Sequence, residues 1–333
     1  NTVYFGGFEH QLGTNFGTPQ SSGRVGGEIG IAGAGCKNNH FAFFEVLQSL
    51  GPHIGLDHLV DVDGRHDPRE HTGALERIAH EFVLDAALDG VRYIEARFCP
   101  ALNVRGGLSL DEVMQAVLRG LARGQKETGT LARVIVCALR SIAWPHALEM
   151  AELAVAFQGK GVVAFDLAGG ELGNPASDHA LAFDFARQHD LAVTVHAGEG
   201  DGPASIREAL HRCGAHRIGH GTRLREDPSL EAYVIDHRIT LEVCPTSNVQ
   251  TRVVPTFAEH PLARYVIMGA VVTINTDNRL MSGVSLTDEY VRCAQHLQFD
   301  IDTLAMLAIT SFDSSFLPHV ERESLRESIA IEV

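Results

Sequence analysis

Four short runs in the second half of the chain carry groups that bind metals or move protons, each at the end of an apolar stretch. They are Val195-His196-Ala197-Gly198-Glu199, Arg217-Ile218-Gly219-His220-Gly221, Leu241-Glu242-Val243-Cys244-Pro245-Thr246-Ser247-Asn248 and Thr273-Ile274-Asn275-Thr276-Asp277-Asn278. Histidine and carboxylate ligands can hold a divalent metal, and such a metal lowers the pKa of a coordinated water to about 7. Glu199 stands three residues after His196, and Gly198 and Gly200 free the backbone around it, so an imidazole can face a metal while a carboxyl reaches a substrate. His220 lies between Gly219 and Gly221, where the backbone can come close to another group. Asp277 ends a run of apolar and small residues, and a carboxylate at that depth needs a cation or a donor to offset burial. One histidine in an apolar run is more often a core residue than a ligand. Several such groups at the ends of different strands point instead to hydrolytic chemistry at a metal.

Convergence of these groups requires parallel strands whose C-terminal ends meet at one mouth, and the rest of the chain supplies the pattern. Leu75, Ile78, Phe82 and Ala86 recur at helical spacing and stop at Gly90, a normal C-terminal cap position. Residues 91–98 read as a strand, and a helix capped by Ser109 follows, with Leu110, Val113, Val117 and Leu121 on one face. Strands are expected at 133–139, 162–167, 191–195, 217–219, 240–243 and 271–276, with helices between them, one opened by Pro203. Seven strands alternating with helices predict the α/β class and a (β/α)8 TIM barrel, closed by an eighth strand. The best place for that strand is the run from Thr2-Val3-Tyr4-Phe5 to His10. Residues 1–40 otherwise break the pattern, being rich in Gly, Asn, Ser and Thr, and residues 11–40 are expected to form a loop or lid. The run Gly33-Ala34-Gly35-Cys36-Lys37-Asn38 lacks the third glycine of a dinucleotide fingerprint. With no long linker or repeat, residues 1–333 read as a single barrel domain.

Composition narrows the partners. The formal net charge of −15 argues against a nucleic-acid surface, which needs a basic footprint. No apolar run reaches the 18 or so residues that would span a bilayer. The six cysteines are scattered, with no CxxC pair, and Cys137 lies inside the apolar run Ile135-Val136-Cys137-Ala138, as a buried free thiol would. These features predict a cytoplasmic protein acting on a small molecule, with no nucleic-acid or membrane partner. They say nothing of the oligomeric state.

The runs His196-Ala197-Gly198-Glu199, Gly219-His220-Gly221, Cys244-Pro245-Thr246-Ser247-Asn248 and Asn275-Thr276-Asp277 together resemble the adenosine deaminase family of metal-dependent amidohydrolase-type barrels. Asp89-Gly90-Val91-Arg92-Tyr93-Ile94-Glu95-Ala96-Arg97-Phe98 and Phe165-Asp166-Leu167-Ala168-Gly169 fit in order and spacing, and Asn278-Arg279-Leu280-Met281-Ser282 is similar to actinobacterial members. The resemblance covers roughly residues 72–320. It implies His196 and Asp277 as zinc ligands, Asp277 also accepting a proton from the attacking water. It implies Glu199 as the acid that protonates the substrate ring, and His220 as the group that orients the nucleophile and stabilises charge. Gly169 would offer its backbone to a purine's far edge, and Asn278 a side-chain donor to a ring nitrogen.

Two positions depart from the family pattern. The family's N-terminal His-x-His is absent. The matching place by spacing is Gly7-Phe8-Glu9-His10, where His10 would be the remaining ligand and Phe8 would stand in place of the other. The family's frequent Asp-Asp pair reads Asp277-Asn278. Three protein ligands and a water still make a workable zinc site, with weaker binding or another divalent metal as the consequence. The resemblance therefore implies a hydrolytic deaminase of a 6-aminopurine nucleoside or related aminated ring. Two alternatives stay open from the sequence: the same barrel hydrolysing a different substrate, and a catalytically silent barrel that binds a nucleoside or a partner protein.

Overall fold

The computed structural model describes residues 2–5, 68–104 and 107–330. Eight strands form one sheet in chain order: β1 (Thr2–Phe5), β2 (Val91–Phe98), β3 (Leu131–Leu139), β4 (Val162–Ala168), β5 (Ala192–Ala197), β6 (Arg217–His220), β7 (Thr240–Val243) and β8 (Val272–Ile274). Strands β2 to β8 run parallel to one another and alternate with helices, which is the curled sheet of the barrel class read from the sequence. The helices start where local chemistry says they should. Ser109 and Glu112 form a reciprocal capping box for helix Leu110–Thr128, and Gly129 ends it in the left-handed conformation at φ 79°. Pro203 opens helix Pro203–His211, as expected.

Strand β1 lies within residues 1–12, but its direction departs from an all-parallel barrel. It pairs antiparallel with β2, Thr2 opposite Glu95 and Phe5 opposite Val91. Its last residue is therefore level with the start of β2, at the end opposite Phe98. The chain between β1 and β2 is long, so no short crossover dictates a parallel arrangement, and the strand pattern itself is blind to direction. Among the described residues no ladder joins β8 to β1. Residues 11–40, expected as a loop or lid, lie outside the described residues. No described helix is long and apolar enough to cross a membrane. The five described cysteines are buried thiols outside any disulfide.

Side chains alternate across each strand, so the sheet has two faces with different chemistry. The outer face carries the apolar core: Ile94, Val134, Val136, Phe165, Leu167, Val193, Val195, Ile218, Leu241 and Ile274 are all buried against helices. The inner face is strongly polar. Glu95, Arg97, Asp166, Thr194, His196, Arg217, Glu242, Thr273 and Asn275 face the axis, and all but His196 are fully buried. Arg217 lies 2.6 Å from Glu95 and 2.5 Å from Glu242, while Arg97 donates to Glu242 at 2.6 Å and stands 3.5 Å from Asp166. Tyr93 and the backbone N–H of Phe316 add hydrogen bonds to Glu95. Buried charges persist only when paired in this way.

Candidate active site

His196, Glu199, His220 and Asp277 come together at the C-terminal mouth of the sheet. His196 is the fifth residue of β5, Glu199 follows that strand by two residues, His220 ends β6, and Asp277 follows β8 by three. Register explains the closeness. His196 pairs with Gly219, and Gly219 with Glu242, so a glycine sits between two inward-facing groups. A Cβ on Gly219 would stand 3.0 Å from His196 Cα and 3.1 Å from its Cγ, so the imidazole occupies space that a side chain at 219 would take.

Two of the four residues hold backbone conformations that L-residues rarely adopt: His220 at φ 63° and Asp277 at φ 54°. Such left-handed positions cost about 1–3 kcal/mol each and are held in place by their surroundings. At Asp277 the Ser247 hydroxyl donates to Oδ2 at 2.6 Å. Burial works to raise the Asp277 pKa, but the neighbouring His220 and the Ser247 hydrogen bond outweigh it and hold it at about 2. Asp277 is therefore an anion, the form a metal ligand requires.

The His196 ring is held from the inside of the barrel. Its Nδ1 lies 3.0 Å from Asp166 Oδ2, and its Nε2 is 3.4 Å from Arg97 Nη1. Asp166 is fully buried, and Arg97 and His196 pull its pKa below the usual carboxylate value against the effect of burial. A carboxylate on Nδ1 fixes the tautomer that leaves Nε2 without the ring proton, its lone pair toward Arg97 Nη1, an arrangement also found behind metal-binding histidines. A cavity of about 10 Å³ lies between Arg97, His196, His220, Cys244 and Asp277, the space of one ion or water. His220 Nδ or Nε, Cys244 Sγ and an Asp277 oxygen lie within 4.8 Å of one another there. Asn275 Oδ1, on the cavity wall, is buried without a hydrogen-bond partner among the described residues.

Glu199 is held by its backbone. The carboxylate of Glu171 accepts N–H groups from Gly198 at 2.9 Å, Glu199 at 2.8 Å and Gly200 at 3.2 Å, pinning the loop after β5. The Glu199 side chain is then 3.6 Å from His220 Nε2 and accepts from Asn248 at 3.2 Å. Gly169 follows β4 directly, at φ 103°, two residues before Glu171. Asn278 caps helix Arg279–Ser282, its Oδ1 accepting the Met281 N–H at 3.0 Å. His10 and Phe8 lie outside the described residues.

Arg97, Asp166, Ser247 and Asn248 stand in runs that the sequence marked, but it gave none of them its supporting role, and Glu171 went unmarked. For Asp166 and Glu242 the signal was a charge at an inward position of a largely apolar strand. Glu171 lies in the loop after β4, where a polar residue carries no such mark.

With this geometry in place, comparison with known proteins is informative. The sequence profile of the family described as "Adenosine deaminase" matches residues 67–332. An adenosine deaminase from Mycobacterium sp. (strain KMS) is 42% identical over 270 residues, covering 77% of this chain and 75% of that protein. Among solved structures, adenine deaminase from Arthrobacter aurescens superposes with a TM-score of 0.73 at 28% identity, covering 78% of this chain and 79% of the other. The N6-mAMP deaminase of Arabidopsis gives 0.73 at 27% identity, covering 78% of each chain. By fold, by the motifs at the barrel mouth and by relatedness over most of its length, the chain is a hydrolytic enzyme that belongs to the adenosine deaminase family.

Proposed function

We propose that the protein replaces the exocyclic amine of an aminated purine with an oxo group, using water and releasing ammonia, or methylamine from an N6-methylated purine. The observation that carries this reading is the placement of Glu199 and His220 3.6 Å apart on one side of the mouth, with Asp277 and His196 beside them. Glu199 delivers a proton to the ring nitrogen next to the attacked carbon, which makes that carbon electrophilic. His220 orients the incoming nucleophile and stabilises the charge that develops on its oxygen. Asp277 takes the proton the water gives up and returns it to the leaving amine. Gly169 and Asn278 meet the purine's edge, Asn278 through its NH₂ group, since its oxygen is committed to the helix cap.

The donor set supports a divalent metal. His196 and the anionic Asp277 line one small cavity, a nitrogen donor and a carboxylate donor facing the same space. His196 and Asp277 would hold the metal, since zinc suits nitrogen and carboxylate donors. His10, the third ligand expected from the sequence, lies outside the described residues, and the antiparallel β1 leads the chain at Phe5 away from the mouth. Such a metal, when bound by these residues, would supply the hydroxide nucleophile at neutral pH.

The relatives differ in what their names say they act on: adenosine, adenine and N6-mAMP. The test is to follow the loss of the aminopurine ultraviolet absorbance with adenosine, adenine and N6-methyl-AMP, alongside the metal-to-protein ratio. Turnover of one of the three with stoichiometric metal is the expected result. No turnover of any aminopurine by metal-replete protein would overturn the proposal.

A further inference from the structure

A chain of hydrogen bonds runs behind Glu199 and His220, and its direction can be worked out from a backbone amide. The N–H of Leu262 has one polarity only, and it lies 3.1 Å from His260 Nδ1. Nδ1 therefore accepts, and in a neutral ring the proton sits on Nε2. His260 Nε2 is 3.3 Å from Asn248 Oδ1, so it donates to that oxygen. This orients the Asn248 amide: its NH₂ end faces Glu199 Oε1 at 3.2 Å and His220 Nδ1 at 3.1 Å, one hydrogen for each. His220 Nδ1 must then accept, which places the ring proton of His220 on Nε2, the nitrogen facing Glu199 Oε2 at 3.6 Å.

We propose that Asn248 and His260 are a positioning pair for the deamination, setting which atoms of His220 and Glu199 carry protons. This rests on the roles given to His220 and Glu199 in the proposed function. With the pair intact, His220 presents an N–H and not a lone pair to the reacting oxygen. It acts as a hydrogen-bond donor to the nucleophile and to the charge that develops there. Glu199 keeps Oε1 as the acceptor for Asn248, so Oε2 is the oxygen that carries its proton to the substrate. No covalent bond changes in the pair itself.

Burial supports the assignment. Asn248 is fully buried and His260 is 4% exposed. Burial and the nearby Arg225 push the His260 pKa down to about 3, so the ring is neutral at working pH. A neutral ring has one donor and one acceptor, which is what gives the chain its direction.

Nitrogen–proton correlation spectra of histidine-labelled protein read the tautomers directly, with His220 assigned from its loss in His220→Asn. Wild-type His220 and His260 are both expected as the Nε2–H form. Asn248→Asp cannot donate, and it should shift His220 to the Nδ1–H form and lower kcat by roughly 10²-fold with little change in KM. His260→Gln keeps both features of the histidine, an acceptor for Leu262 and an N–H for Asn248, and should retain the His220 tautomer and most of the activity. His260→Leu should lose both. Wild-type His220 in the Nδ1–H form, or an unchanged His220 tautomer in both Asn248→Asp and His260→Leu, overturns the pairing. The tautomer readout needs no turnover. An Nε2–H His220 in a protein that deaminates no purine would sink the proposed function while leaving the hydrogen-bond chain in place.

Discussion

Exchanging Glu199 for Gln removes a proton while keeping the side chain's shape and the oxygen that Asn248 donates to. Because Glu199 is placed as an acid and not as a ligand, Glu199→Gln is expected to lower kcat by about 10² to 10⁴, with metal content and melting temperature nearly unchanged. A variant that lost its metal, or that kept more than about a tenth of wild-type turnover, would show the role to be misassigned. Asp166 makes a different kind of contribution. It touches no substrate, yet it holds the Nδ1 side of His196 at 3.0 Å and carries the charge that keeps the ring proton off Nε2. Asp166→Asn is expected to weaken metal affinity by about 10- to 100-fold, measured by competition with a chelator. Equal affinity in the two proteins would mean that His196 needs no carboxylate behind it.

At the scale of elements, the short helix Pro245–Gln250 carries both Ser247 and Asn248, and a longer helix fixes its position. Glu289, on helix Leu286–Leu297, accepts the Thr246 N–H with both carboxylate oxygens, at 3.3 and 3.2 Å, while Arg292 donates to the Thr246 hydroxyl. Glu289 is fully buried, and burial raises its pKa from 4.5 to about 7. An acid with a raised folded-state pKa binds its proton longer in the folded state than in the unfolded one. Its contribution is therefore complete below about pH 4.5 and is lost as pH rises toward 7, by on the order of 3 kcal/mol. Glu289→Gln stays neutral throughout and keeps an acceptor for Thr246. Urea unfolding at a series of pH values should show the variant gaining stability relative to wild type between pH 5 and 8. A difference that does not change with pH would show that Glu289 does not titrate in this window.

For the whole molecule, the interior of the sheet is an ionic lattice rather than a layer of branched aliphatics. Glu242 stands at its centre, between Arg97 and Arg217, which hold its pKa far below the ordinary value against burial. Removing one partner from a buried charge network leaves the others unpaired and costs about 3–5 kcal/mol. Glu242→Gln should accordingly destabilise the fold by that order in denaturant unfolding, well beyond the effect of a surface Glu→Gln. A loss below about 1 kcal/mol would mean that water or a rearranged side chain takes over the guanidiniums. The same lattice reaches the active site, since Arg97 contacts Glu242, Asp166 and His196 at once. Stability and the placement of His196 are thus set by one network.

Much of this was legible in the chain alone. Alternation of strand and helix, with apolar runs of strand length and caps such as Ser109 and Gly129, prescribes a parallel (β/α) sheet because these are local rules. Polar groups at the ends of those runs mark the mouth, since a parallel sheet with helical crossovers brings all C-terminal strand ends to one side. His196, Glu199, His220 and Asp277 were visible for that reason. The tertiary structure decided what sits behind them. The direction of β1 depends on pairing across a long connection, which no local pattern encodes. Asp166 behind His196, Glu171 under the Glu199 loop and Asn248 between Glu199 and His220 are contacts between residues 27 to 49 positions apart. Which nitrogen of His220 holds its proton is set further off still, by the backbone N–H of Leu262 acting through His260 and Asn248. Hydrogen-bond polarity passes from group to group through space, so only the folded chain can decide it.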